Sequence, residues 1–377
     1  MMRDALIAVL IALLAVAWLV QRAGGDDPTV STVSGTALLN AAPEVFDRVT
    51  GPEPLEFPAD HGLHPGYRNE WWYFTGNLAG DDGHRYGFQF TLFRFAVEPG
   101  DRPDSDFATD AVWMAHLAVS DFERERFIAN ERFARDALGL AGATADEWWL
   151  RDWKVSREAN GWRLRARSDG LEVDLRMEME KPVVLQGDAG YSRKGPEPGN
   201  ASRYYSITRM QASGRLEFDG AGVDVEGLAW LDREWGSSQL GEGIAGWDWF
   251  ALQLDDGRDL MLYRLRTEAG TASRFSAGVI VAPDGSYRTL GRDDFDFEEI
   301  RRWRDAVGVE WPVVWRVRLP EFGLEFEVRP AFDAQRWYAT VGYWEGAVEV
   351  IEPASGDRLG RGYLELSGYA DAQAGRR

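Results

Sequence analysis

Asp232 and Glu234 stand two residues apart in the segment WLDREWG, between Trp230 and Trp235. Side chains alternate along an extended strand, so Asp232, Glu234 and Trp230 would share one face, with Arg233 and Trp235 on the other. Paired carboxyls beside an indole can add water to an apolar substrate or hydrolyse it. One acid, its pKa raised by burial, protonates an alkene or a leaving group. Its neighbour activates water, and the indole face steadies the developing cation. The competing reading is a solvated turn whose Asp-Arg-Glu ion pairs close a domain junction.

Two further acids lie inside aromatic runs. Asp248 sits between Trp247 and Trp249, and Glu70 precedes Trp71, Trp72 and Tyr73. Each can act chemically, or pair with Arg94, Arg209 or Arg264 as a buried structural ion pair. Pairing is favoured for Glu70, because an Arg ends the partner strand in both repeats described below. His116 falls mid-strand in VWMAHLAV, as a satisfied core residue or, facing a barrel interior, as a base. The catalytic candidates are thus Asp232, Glu234, Asp248 and His116. Asp60, His61 and His64 cluster loosely in a Gly/Pro loop, a pattern that suits loop hydrogen bonding better than a metal. No cofactor is expected. Gly241, Gly243 and Gly246 have dinucleotide-loop spacing, but an aromatic strand follows where a helix must begin.

The aromatic residues offer walls for a ligand. The 377 residues include 17 Trp, 12 Tyr and 19 Phe, which leans toward β-structure. The ligand-binding candidates are Trp71, Trp72, Tyr73, Arg94, Tyr204, Tyr205, Arg209, Trp230, Trp235, Trp247 and Trp249. Trp71 and Trp72 point to opposite faces, so at most one lines a given barrel lumen. A net charge of −20 repels phosphate backbones, which excludes nucleic acid as a partner. The absence of Cys removes disulfides and thiolate chemistry.

The elements that must position these side chains are short β-rich runs. They are punctuated by turns at Asp82-Gly83, Asp169-Gly170, Asp219-Gly220, Asp256-Gly257 and Asp284-Gly285. Helical spacing is confined to residues 130–140 and 293–303. EWWYFTGNLAGDDGHRYGFQFTLFR from Glu70 and GWDWFALQLDDGRDLMLYRLR from Gly246 repeat one plan: aromatic strand, turn, second strand, closing Arg. Echoes near Val223 and Asp357 end each half. Duplication of one β-domain explains this order, giving domains at 55–240 and 241–377.

Arg3 precedes an apolar run from Ala5 to Val20 that ends at Gln21-Arg22. Residues 1–22 read as an uncleaved signal-anchor helix, with a cleaved signal as second choice, and 23–54 as a linker. The body is expected outside the cytoplasm, in the periplasm, tethered to the membrane or secreted.

HPGYRNEWWYFTGNL at His64, YYSITRM at Tyr204, GLAWLDREWG at Gly227, GWDWFALQL at Gly246, YWEGAVEV at Tyr343 and GRGYLELSGY at Gly360 resemble the AttH and carotenoid 1,2-hydratase family. The resemblance implies an all-β fold of two tandem lipocalin-like (calycin) barrels. It also implies binding of a lipophilic small molecule, with an ABC exporter permease as partner in the secreted branch. The alternative is a hydro-lyase or hydrolase acting on an isoprenoid-like substrate. The hydratase branch is His-rich at the segment matching Trp230–Trp235. WLDREW has no His, which favours the secreted branch.

Overall fold

A computed structural model describes residues 45–100, 105–237 and 240–370. The expected signal-anchor segment and most of the expected linker lie outside them. Among the described residues no helix is long and apolar enough to cross a membrane.

The first sheet runs through β1 (Asn69–Gly80), β2 (Arg85–Ala96), β3 (Ala111–Asp121), β4 (Arg126–Arg135), β5 (Ala141–Ala143), β6 (Glu147–Leu150) and β7 (Trp153–Glu158). It continues through β8 (Gly161–Ser168), β9 (Leu171–Met179), β10 (Val184–Leu185), β11 (Tyr191–Arg193), β12 (Ala201–Phe218) and β13 (Ala221–Gly236). The second comprises β14 (Ile244–Leu254), β15 (Asp259–Thr267), β16 (Ala277–Val281), β17 (Tyr287–Leu290) and β18 (Asp296–Arg304). Its last strands are β19 (Glu310–Leu319), β20 (Leu324–Pro330), β21 (Tyr343–Ile351) and β22 (Arg358–Ser367). One sheet is a nearly closed barrel and the other a half-barrel, the all-β tandem arrangement of the lipocalin-like fold.

Duplication is visible in the pairing. The order β2-β1-β13-β12 in the first sheet is matched by β15-β14-β22-β21 in the second. In each half the aromatic strand hydrogen-bonds to the strand that ends that half. All five Asp-Gly turns carry Gly at positive φ, from +72° to +88°, where a Cβ would be strained.

The two expected helices are strands. Residues 130–140 fall on β4 and a short 3-10 turn, and residues 293–303 fall mostly on β18. Both are the end strands of their sheets, β4 mostly half-buried and β18 mostly exposed. Without a fully buried face they lack the alternation that marks a strand, and chance spacing of Phe133, Ala137 and Leu140 resembles a helix.

Each barrel interior is filled by its own side chains. Trp72, Phe74, Trp113, Trp148 and Trp162 pack the first; Phe250, Trp311, Trp315, Trp344 and Leu364 pack the second. The opposite face of the same strands joins the two halves, with Tyr73, Tyr204, Trp230, Trp249, Tyr263 and Tyr363 in one cluster. There the backbones approach closely: a Cβ on Gly87 would stand 2.6 Å from the Ala347 methyl. Asn77 donates to the Gly362 carbonyl at 2.9 Å, and Gln253 donates to the Thr208 and Ala229 carbonyls at 2.8 and 3.0 Å.

Candidate functional site

The expectation of a pocket inside a barrel or at its mouth is corrected by the structure. Aromatic side chains occupy the lumens, and a cavity of about 140 Å³ lies instead between the two sheets. Its walls come from β1–β3 and β12–β13 of the first half and from β14, β15, β21 and β22 of the second, together with Lys194, Leu240 and Val341. Trp71, Tyr73, Phe93, Trp247, Trp249 and Tyr263 supply most of the lining, with five ionisable groups set among them: Asp232, Glu234, Glu345, Glu365 and Lys194.

Strand alternation delivers the acids. Asp232 is the register partner of Tyr73, and Glu234 of Trp71, so all four face the same space. Asp232 is 3% exposed. It accepts hydrogen bonds from the Tyr204 hydroxyl at 2.5 Å, from Trp230 Nε1 at 2.7 Å and from the Ser206 hydroxyl. Burial pushes its carboxyl up to about 7, against the lowering effect of those three donors, and the neighbouring Glu234 adds to the rise. A group that is half protonated near neutral pH can give and take back a proton.

Glu234 forms an ion pair with Lys194 and accepts from the Ser202 hydroxyl. Lys194 also donates to Ser202 at 3.0 Å, and its ammonium lies 5.3 and 5.5 Å from the Tyr204 and Tyr263 ring centres. Glu345 accepts from the Tyr73 hydroxyl, and burial and the nearby Glu365 hold its carboxyl well above the usual range. Glu365 accepts from Trp247 Nε1 at 2.7 Å, and burial lifts it to about 7. Glu365 is half-buried and lines the cavity, whose wall is largely aromatic.

His116 lies one layer behind this wall, fully buried and stacked on Trp337 with ring centres 4.6 Å apart. Its Nδ1 meets the Tyr343 hydroxyl and its Nε2 lies 3.0 Å from Glu131. Tyr343 in turn lines the cavity and hydrogen-bonds to Glu345. A continuous chain therefore joins partly exposed Glu131 to Glu345 inside.

Other predicted residues are elsewhere. Asp248 faces away from the cavity, paired with Arg264 at 2.7 Å and Arg266 at 3.2 Å and accepting from Tyr369. Glu70 is its counterpart, bound to Arg94 at 3.2 Å and to Arg233; burial pushes its carboxyl up, but Arg233, His64 and Arg94 together outweigh that and draw it down to about 2. Arg94 is thus structural. Trp72 packs in the first barrel beneath the Arg233 guanidinium. Tyr205 meets His61 at 2.6 Å, and Trp235 stacks on His64 with ring centres 3.9 Å apart. His64 also lies 3.0 Å from Asp60, so this loop is tied together by its own hydrogen bonds. Arg209 clamps the halves together through Asp259 at 2.7 Å, beside Lys181. Trp230 stands behind Asp232 without lining the cavity. The structure brings Trp71, Tyr73, Tyr204, Trp247 and Trp249 together with Asp232 and Glu234, and adds Lys194, Glu345 and Glu365, which sequence reasoning passed over. YWEG and LELS held the signal, as a lone acid beside Trp344 in the one and between Leu364 and Leu366 in the other, on strands that close the second half.

The family described as AttH-like matches residues 48–369. No curated protein matches the chain. The chain is similar to an AttH protein of Nitrosomonas europaea, whose crystal structure superposes with a TM-score of 0.77 at 36% identity, covering 86% of this chain and 100% of that one. Kievitone hydratase of Nectria haematococca superposes with a TM-score of 0.61 at 13% identity, covering 86% and 98%. The second likeness is one of fold.

Proposed function

Since the chain belongs to the AttH-like family, we propose that it binds a lipophilic alkene between its two barrels and adds water to it. The observation that carries this reading is Asp232: a buried carboxyl, raised to about 7, that opens on an aromatic cavity. Asp232 donates its proton to the less substituted alkene carbon, and the π pair becomes the new C–H bond. The cation left on the neighbouring carbon faces Trp71, Trp247 and Trp249, where ring faces favour positive charge. A water oxygen then forms the C–O bond. Its surplus proton passes to Glu234, held in place by Lys194, and from there back to Asp232, so the acid is regenerated. The kievitone hydratase likeness supports the fold's capacity for such a site. With Ala5–Val20 as a membrane anchor, a substrate dissolved in the bilayer would lie within reach, and an exporter permease belongs to the same extracytoplasmic setting.

The experiment is incubation of the purified protein with isoprenoid alkenes in ¹⁸O-labelled water, followed by mass spectrometry. A tertiary alcohol carrying the label, absent with Asp232→Asn, is the expected result. Labelled alcohol formed equally by that variant would remove Asp232 from the chemistry, and no alcohol from any alkene would leave a binding protein.

A further inference from the structure

Glu345 and Glu365 are direct register partners on β21 and β22, and both line the cavity. Like charges placed opposite each other across two strands repel, so this pair needs a proton or a cation nearby. Their hydrogen-bond partners are neutral: Tyr73 and Tyr343 for Glu345, Trp247 for Glu365. Among the described residues neither glutamate, nor Asp232, has an ion-pair partner, and Lys194, the lysine in the wall, is committed to Glu234. Three carboxyls thus look into an aromatic enclosure whose lining lysine is already paired with a fourth.

We propose that this enclosure is a cation site, taking the positively charged head of an organic ammonium between Glu345, Glu365 and the rings of Trp71, Trp247 and Trp249. An inorganic ion fits poorly. Hard cations need six or more oxygens, whereas these carboxyls already accept from tyrosine and tryptophan donors and the remaining wall is aromatic. Among the described residues the acid and His ligand atoms that converge closely are those of His84, Asp121 and Glu123, remote from this cavity. A quaternary ammonium head instead gains from ring faces and carboxylates together. The inference deepens the hydration reading: a carbocation formed from a neutral alkene would occupy the place a stable ammonium takes. It would also make lipophilic amines inhibitors of that reaction.

The groups facing the two glutamates decide the pH response. Asp232 and Glu234 stand across the cavity from them on β13, with Lys194 attached to Glu234. The facing hydroxyls of Tyr73, Tyr204 and Tyr343, each held well above 10 by burial, stay protonated through neutrality. Affinity for a cation therefore rises with pH as Asp232 and Glu365 lose their protons.

Full-length protein would be titrated with phenyltrimethylammonium and, separately, with its neutral carbon isostere tert-butylbenzene, following tryptophan fluorescence at pH 5.5 and 8. The ammonium should bind at least ten-fold tighter than the isostere at pH 8, with the ratio shrinking at pH 5.5. In the double variant Glu345→Gln with Glu365→Gln the ratio should fall to within two-fold, while retained tert-butylbenzene binding shows that the cavity is intact. Equal affinity of the two probes in the unaltered protein, or binding of neither, overturns the cation site. Neither outcome decides the hydration reading, which stands or falls on the labelled alcohol.

Discussion

Exchange of Asp232 for Asn should stabilise the protein in alkaline solution while ending turnover. In the folded chain burial raises this carboxyl from 3.8 to about 7. Between those values the folded state keeps a proton that the unfolded chain has released, so stability falls as pH rises and the full cost is present above pH 7. That interval corresponds to roughly 4 kcal/mol. Asn recovers only part of it. Its Oδ1 can accept from Trp230 Nε1 and its Nδ2 can donate to a rotated Tyr204 or Ser206 hydroxyl, but one original hydrogen bond is lost, at about 1 kcal/mol. The expected net gain is about 2–3 kcal/mol at pH 8.5, or about 3–4 °C in melting temperature for a chain of this size. Thermal unfolding measured from pH 5 to 9 tests this. The unaltered protein should melt lower as pH rises, with Glu365 contributing to the same slope, and the variant's curve should be flatter and cross above it. Parallel curves, or a variant that melts lower throughout, would show that Asp232 is ionised in the folded state and refute its role as the acid.

The buried ion pairs should respond in the opposite sense. Lys194→Met strands Glu234 in the cavity wall and should cost about 3–5 kcal/mol in chemical denaturation, most of it restored by adding Glu234→Gln; no restoration would mean the lysine acts through packing alone. Glu70 is drawn down from 4.5 to about 2, so its contribution is complete above pH 4.5 and lost as pH falls through 2. Glu70→Gln should lower stability at pH 7 by about 3–5 kcal/mol and flatten that acid limb, which an unaltered acid limb would contradict. Asp248→Asn should be destabilising to a similar degree yet leave phenyltrimethylammonium affinity within two-fold, because Arg264, Arg266 and Tyr369 hold it away from the cavity; a ten-fold loss of affinity would return Asp248 to the site.

The sequence carried the strands well and the site by half. Aromatic runs and Asp-Gly turns identify the hairpins because a pleated strand and a tight turn each impose local rules on residue type. Alternation also placed Asp232, Glu234 and Trp230 on one side of β13, as the structure has them. What alternation lacks is a label for the sides. Trp71 and Trp72 are told apart by it, but nothing local says that Trp72 fills a lumen and Trp71 meets the other half. Glu345 and Glu365 escaped notice for a related reason. They lie 20 residues apart on different strands, and only the β21–β22 register sets them against each other. Lys194 sits in a loop before β12, and its tie to Glu234 depends wholly on tertiary contact.

Because each barrel keeps its own packed interior, the chamber between them is structurally inexpensive to remodel. A residue such as Trp71 or Trp249 can change shape or polarity without opening a hole in either lobe's private core. The architecture thereby separates the packing that folds each half from the lining of the cavity between them. The repeated β-domain supplies two sturdy walls, and the seam where they meet can vary its chemistry.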